Sequence, residues 1–185
     1  MNLIKWIVKN YNMASVNYIF RDKYNSHKTT LKDTSYDKDN RVYLCNDERQ
    51  EVYDFDDIVK KLYPAKQPAS YDALIIYNND IYCIEFKNQK YSNIDNSSIK
   101  NKLKNSKEVM DKIFKENNIN IKNYKFIYCV AYKNDQSKWR RGITKDVIQF
   151  GLEEYKGKYY DEIFTNDIDY FTNEYKKKFN KELKC

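Results

Sequence analysis

The chain has 185 residues, 41% of them hydrophobic and 33% charged, and Lys plus Arg exceed Asp plus Glu by 34 to 27, a formal net charge of +7. That length suits one domain, residues 1–185, with a sizeable core, and the basic balance favours a polyanionic partner. A single histidine, His27, and glycines only at 142, 151 and 157 exclude chemistry that needs paired histidines, a phosphate-cradling P-loop and a dinucleotide fingerprint.

In chain order, Ile4, Ile7, Val8 and Tyr11 fall at helical spacing, which predicts a short amphipathic helix over residues 2–12. Val16 to Phe20 fits either an extension of that helix or a strand. Residues 25–40 are polar and read as a loop. Residues 41–45 and 51–55 read as short strands around a turn at 46–49. Asp56 and Asp57 then cap a helix running through Tyr63, and Pro64 and Pro68 mark a loop. Residues 71–90 read as two strands joined by a tight turn. Ser97 or Ser98 caps a helix to about Asn117, with Ile99, Leu103, Met110, Ile113 and Phe114 on its apolar face. Residues 124–132 and both strands of the 71–90 hairpin are apolar on both alternating sets. Strands of that kind are covered on two sides, which predicts an α/β fold: a mixed central sheet with helices on both faces. A helix follows from Thr144 to about Tyr155. A last one, from Asp167, buries Ile168, Phe171, Tyr175, Phe179 and Leu183. Together they make a C-terminal helical extension over 143–184, beyond a core at about 41–132.

The four cysteines, Cys45, Cys83, Cys129 and Cys185, form no CxxC pair, so a zinc site is not expected. Cys83 and Cys129 fall in apolar strand patterns and read as small core residues. The usage fits a reducing cytoplasm, and neither a transmembrane run nor a signal peptide is expected. The oligomeric state is left open, a homodimer included.

Three ionisable residues interrupt the apolar runs of the hairpin: Asp72, Glu85 and Lys87. Asn78-Asn79 suits a two-residue turn because Asn tolerates the left-handed conformation such turns need. Tyr77 then pairs with Asp80, and Asp72 lies opposite Glu85, with Cα atoms roughly 4.5–5.5 Å apart. Lys87 shares that face about 7 Å further along. A three-residue turn, Asn78 to Asp80, would put Asp72 opposite Phe86 instead. Two carboxylates set opposite each other in apolar surroundings are unfavourable. A divalent cation between them resolves the conflict, since hard cations favour carboxylate oxygens and water. Simple neutralisation by Lys87 is the plainer alternative.

Asp72, twelve intervening residues and then Glu85-Phe86-Lys87 resemble the D-x(n)-E-x-K signature of the PD-(D/E)XK nuclease superfamily. Pro68 lies four residues before Asp72 rather than adjacent to it. The resemblance covers about Tyr71 to Tyr132 and implies a restriction-endonuclease-like core of order α-β-β-β-α-β. It also implies a nuclease, a hydrolase of phosphodiester bonds dependent on Mg²⁺ or Mn²⁺. Asp72 and Glu85 become metal ligands, with the Phe86 backbone carbonyl as a further one, and Lys87 becomes the catalytic lysine. Gln89, on the same face, is an accessory candidate. The superfamily often carries another acid upstream; Glu51, Glu48 and Asp54 are the nearest candidates here. A DNA endonuclease is the first expectation. An RNA-cleaving toxin of the tRNase type and a noncatalytic nucleic-acid-binding module are the alternatives.

Two basic groupings bear on that partner. Lys100, Lys104 and Lys107 share a helix face and either touch phosphates or form a solvated surface. Lys138-Trp139-Arg140-Arg141 is the densest basic-aromatic cluster: Arg can fork onto phosphate and Trp can stack on a base.

Overall fold

The structure, a computed structural model, describes residues 15–134 and 147–185. The helix expected over residues 2–12, the cluster at 138–141 and residues 144–146 of the next expected helix lie outside the described residues.

Helix α1 spans Val16–Lys23; Ser15 caps it by accepting the Tyr18 N–H, and Val16, Ile19 and Phe20 turn inward. The polar stretch 25–40, expected as a loop, carries, after a 3₁₀ turn at Asn25–His27, three short elements. These are β1, Lys28–Thr30; a one-turn helix α2, Leu31–Thr34, with a capping box between Thr30 and Asp33; and β2, Tyr36–Asp37. Backbone pairing at a sheet edge needs no apolar alternation, which is why the pattern hid them. The buried anchor here is Leu31. β2 pairs antiparallel with β3, Val42–Tyr43. β4, Glu51–Asp54, lies between β1 and β5, so the strands around residues 46–49 do not form a hairpin with each other. Helix α3, Phe55–Leu62, is capped by Asp54, which accepts the Asp57 N–H; Asp56 and Asp57 occupy its first turn rather than its cap.

β5, Ala73–Tyr77, and β6, Asp80–Lys87, form the expected antiparallel hairpin, with Tyr77 opposite Asp80 and Ala73 opposite Ile84. Asn78 takes the left-handed conformation at φ 54°. Helix α4, Asn96–Glu116, is capped by Asp95 rather than by a serine. It buries the five predicted apolar residues together with Ser106 and Val109. Each such fully buried aliphatic or aromatic side chain contributes about 1.5–3 kcal/mol. The helix is the crossover to β7, Lys125–Tyr132, which runs parallel to β6.

The C-terminal part departs from expectation. No α-helix forms within residues 147–155, which hold a single 3₁₀ turn at Glu153–Tyr155. Instead β8, Glu162–Asp167, adds a strand parallel to β7. Helix α5, Ile168–Phe179, follows at once, capped by Asp167. The sheet order is β1-β4-β5-β6-β7-β8, antiparallel as far as β6 and parallel beyond it. One face packs against α1, α3 and α4; the other carries Ala73, Ile84, Phe86, Ile127 and Ala131 against α5 and Leu31. The chain is thus α/β, with a six-stranded mixed sheet covered on both faces.

Cys83 and Cys129 are buried thiols, as expected. Cys45 and Cys185 are joined in a disulfide, which the sequence reading did not foresee. Disulfides persist in oxidising surroundings, so cysteine usage does not support a reducing compartment. Buried Asp47 secures the same junction. It accepts the N–H groups of Arg49, Gln50 and Lys184, and Lys184 returns its carbonyl to the Asn46 N–H. Among the described residues, no helix is long and apolar enough to cross a membrane.

Candidate active site

The β5–β6 ladder ends at Ala73, and one residue earlier the strands part. The Asp72 N–H donates to the Ile84 carbonyl, and the Asp72 carbonyl accepts the Phe55 N–H. The Asp72 side chain fills the opening: its Oδ2 accepts the Phe86 N–H at 2.7 Å. A residue's N–H and C=O leave a strand on the same edge, so the Phe86 carbonyl also points to Asp72's side. Alternation along the strands puts Asp72, Glu85 and Lys87 on the face that α4 covers, with Leu74, Ile81 and Cys83. Helix α4 is pinned to this point by Ser106, whose Oγ accepts the Tyr71 N–H at 3.0 Å.

Helix α4 also delivers a residue the sequence reading did not single out. Lys102 Nζ lies 3.2 Å from Asp72 Oδ1 and 2.9 Å from Glu85 Oε2. Lys87 Nζ lies 2.8 Å from Glu85 Oε1. Two carboxylates and two ammonium groups therefore form one cluster, with the Glu85 side chain fully buried. The signal for Lys102 was present. Positions 99, 102, 106, 109 and 113 make one stripe at i+3/i+4 spacing, apolar except for Lys102 and Ser106.

Burial, and next the Glu85 charge, raise the Asp72 pKa to about 7. Burial pulls the Lys102 ammonium down, but Asp72 and Glu85 outweigh it and hold its pKa above the ordinary lysine value. Beneath the cluster, Tyr128 is buried; its phenol is pushed well up by burial first and by the Glu85 charge second.

Asp72, Lys87 and Gln89 line one wall of a cleft of about 210 Å³. The other wall is Tyr36, Asp37 and Asp39 of the β2–β3 hairpin. Asp37 and Asp39 are cleft-lining acids that the sequence did not single out. Asp37 is tied into its own turn: Asn40 hydrogen bonds hold its carboxyl below the usual range, and Lys87 adds to that. The three upstream acids that were expected do not line the cleft. Glu51 faces Lys28 at 3.8 Å, Glu48 is paired with Lys32, and Asp54 is the α3 cap. The reason is topological: β4 enters the sheet between β1 and β5, which carries Glu51 to the far end of the strand from Asp72.

Lys100, Lys104 and Lys107 do share a face, but it is covered by the C-terminal half. Lys100 lies 3.9 Å from Glu154, Lys104 sits over the Tyr155 ring, and Lys107 pairs with Asp111 and lies over Phe126. A second pocket, of about 170 Å³ between α5 and β7–β8, is mainly apolar. Its lysines, Lys125 and Lys178, are paired with Glu162 and Asp80, so no reactive grouping converges there.

Among the described residues, no three acidic, histidine or cysteine side chains cluster as metal ligands. The oxygens that converge belong to Asp72 and Glu85, with the Phe86 carbonyl alongside. A small hard cation needs only one or two carboxylates and keeps its remaining positions for water and phosphate. Glu85 Oε1 suits such an ion: it is buried, and although both ammonium groups lie at 2.8 Å, neither is aligned to donate a hydrogen bond to it. On donor chemistry, then, the site fits a hard divalent cation.

Comparison with protein-family models, with curated proteins and with solved structures finds no match to this chain.

Proposed function

We propose that this chain is a metal-dependent nuclease built on a restriction-endonuclease-like core, with DNA as its preferred substrate. The observation that carries the reading is that Asp72, Glu85 and Lys87 stand on one sheet face, Asp72 and Lys87 opening to one cleft. The hairpin, the crossover helix α4 and the parallel strand β7 follow the order expected of such a core.

Asp72 and Glu85, with the Phe86 carbonyl, would hold Mg²⁺ or Mn²⁺. An ion held there supplies Lewis-acid stabilisation of a phosphodiester and lowers the pKa of water. Lys87 keeps its proton at Nζ and donates to a phosphate oxygen, offsetting the negative charge that builds at phosphorus. Water oxygen bonds to phosphorus, the bond from phosphorus to the leaving nucleotide oxygen breaks, and the proton lost by water balances the one gained by that oxygen. The Phe86 N–H holds the Asp72 carboxylate in place throughout. One observation favours the noncatalytic alternative: Lys102 already pairs with both carboxylates.

The test is incubation with plasmid DNA, single-stranded DNA and tRNA in Mg²⁺, Mn²⁺ or EDTA. Cleavage should require the metal, and Glu85→Gln or Lys87→Met should lower it by about 10²–10³-fold, as loss of a group stabilising transition-state charge does. Cleavage of tRNA alone would move the substrate to RNA. Binding without cleavage under every condition would leave the noncatalytic module.

A further inference from the structure

The position of Lys102 is the least expected feature of the cluster. Its side chain comes from the helix rather than the hairpin, and its Nζ touches both carboxylates. It therefore occupies the place between Asp72 and Glu85 that a cation would take. We propose that Lys102 is a displaceable internal cation: it holds the two carboxylates together in the apo protein and leaves when a divalent ion binds. The inference rests on the metal-dependent reading above.

Charge favours the exchange. Two carboxylates already face two ammonium groups, and a dication added to that set leaves excess positive charge around a fully buried Glu85. Departure of one ammonium reduces that excess. Lys87 touches only Glu85, whereas Lys102 sits between both ligands. Lys102 also has somewhere to go. Its side chain keeps 22% of its exposure, as does that of Asp72, and its four-carbon stem is flexible enough to turn the ammonium toward solvent. Ser106 keeps the helix itself in place. The site is then closed to monovalent competitors by its own ammonium and opens to an ion of higher charge.

The experiment is isothermal titration calorimetry of the full chain with Mn²⁺, without nucleic acid, so that the readout is binding and not cleavage. One neighbouring charge at this range shifts a proton affinity by about one to three decades, so Lys102→Met should tighten Mn²⁺ by about tenfold or more. Glu85→Gln should abolish binding. If Glu85→Gln abolishes binding but Lys102→Met leaves it unchanged or weaker, the metal site stands and the displacement proposal falls. If neither wild type nor Lys102→Met binds Mn²⁺, the metal reading falls and takes the proposal with it. A second measurement covers a variant that fails to fold. In crystals of the wild type grown with Mn²⁺, Lys102 Nζ should lie beyond hydrogen-bond range of both carboxylates. A metal seated with Lys102 still between them overturns the proposal.

Discussion

Asp72 and Asp47 are both carboxylates in segments that lead into strands of the sheet, and their surroundings push them in opposite directions. Asp72 has its pKa raised by burial and by Glu85 to about 7, against about 3.9 unfolded. The folded state therefore holds a proton that the unfolded chain has lost, and stability falls as pH rises from about 4 to about 7, by at most about 1.4 kcal/mol per pH unit. Urea midpoints measured at pH 5 and pH 8 should show this loss in the wild type and a smaller one in Asp72→Asn. Asp47 is the reverse case. Burial opposes its charge, but Arg49 and the N–H groups of Gln50 and Lys184 outweigh that and lower its pKa. Its contribution is present above the ordinary carboxylate range and lost on acidification. The advantage of wild type over Asp47→Asn at pH 7 should therefore vanish as pH falls. The sequence made Asp72, Glu85 and Lys87 legible because each interrupts an apolar run. Lys102 was overlooked, because a lysine in a lysine-rich helix stands out only against the stripe of positions 99, 106, 109 and 113.

Elements were legible in proportion to how much of them the core covers. β5, β6, β7 and α4 could be placed because both faces of the strands and one stripe of the helix are apolar. β1 and β2 could not, because they are two or three residues long and their pairing is backbone to backbone. β8 was missed because it holds only two apolar residues, the adjacent Ile163 and Phe164, among Glu, Thr, Asn and Asp, and the acidic run beside it reads as a helix start. The turn of the hairpin sets the register of the candidate site, since a slip of one residue would send Glu85 and Lys87 to the α5 face. Asn78 should matter accordingly. A β-branched residue at φ 54° is strained, so Asn78→Val should cost about 1–2 kcal/mol in a denaturant melt. Asn78→Gly should be close to neutral, and an equal loss in both would mean that the Asn side chain, not the backbone conformation, carries the turn.

At the scale of the molecule, the Cys45–Cys185 link closes a loop of 140 residues in sequence separation. Cross-links over loops of this size stabilise by about 2–5 kcal/mol, largely by restricting the unfolded chain. A reductant, or Cys185→Ser, should lower the urea midpoint accordingly; an unchanged midpoint would show that the Asp47 contacts suffice without the bond. The Asp47 junction also has a temporal side. Lys184 follows Asp47 by 137 residues, so a nascent chain emerging from the ribosome lacks this acceptor's last partner until almost everything between them has been synthesised. The β2–β3 hairpin, tethered just upstream, forms one wall of the cleft, so the Asp47 junction links that wall to a segment far along the chain.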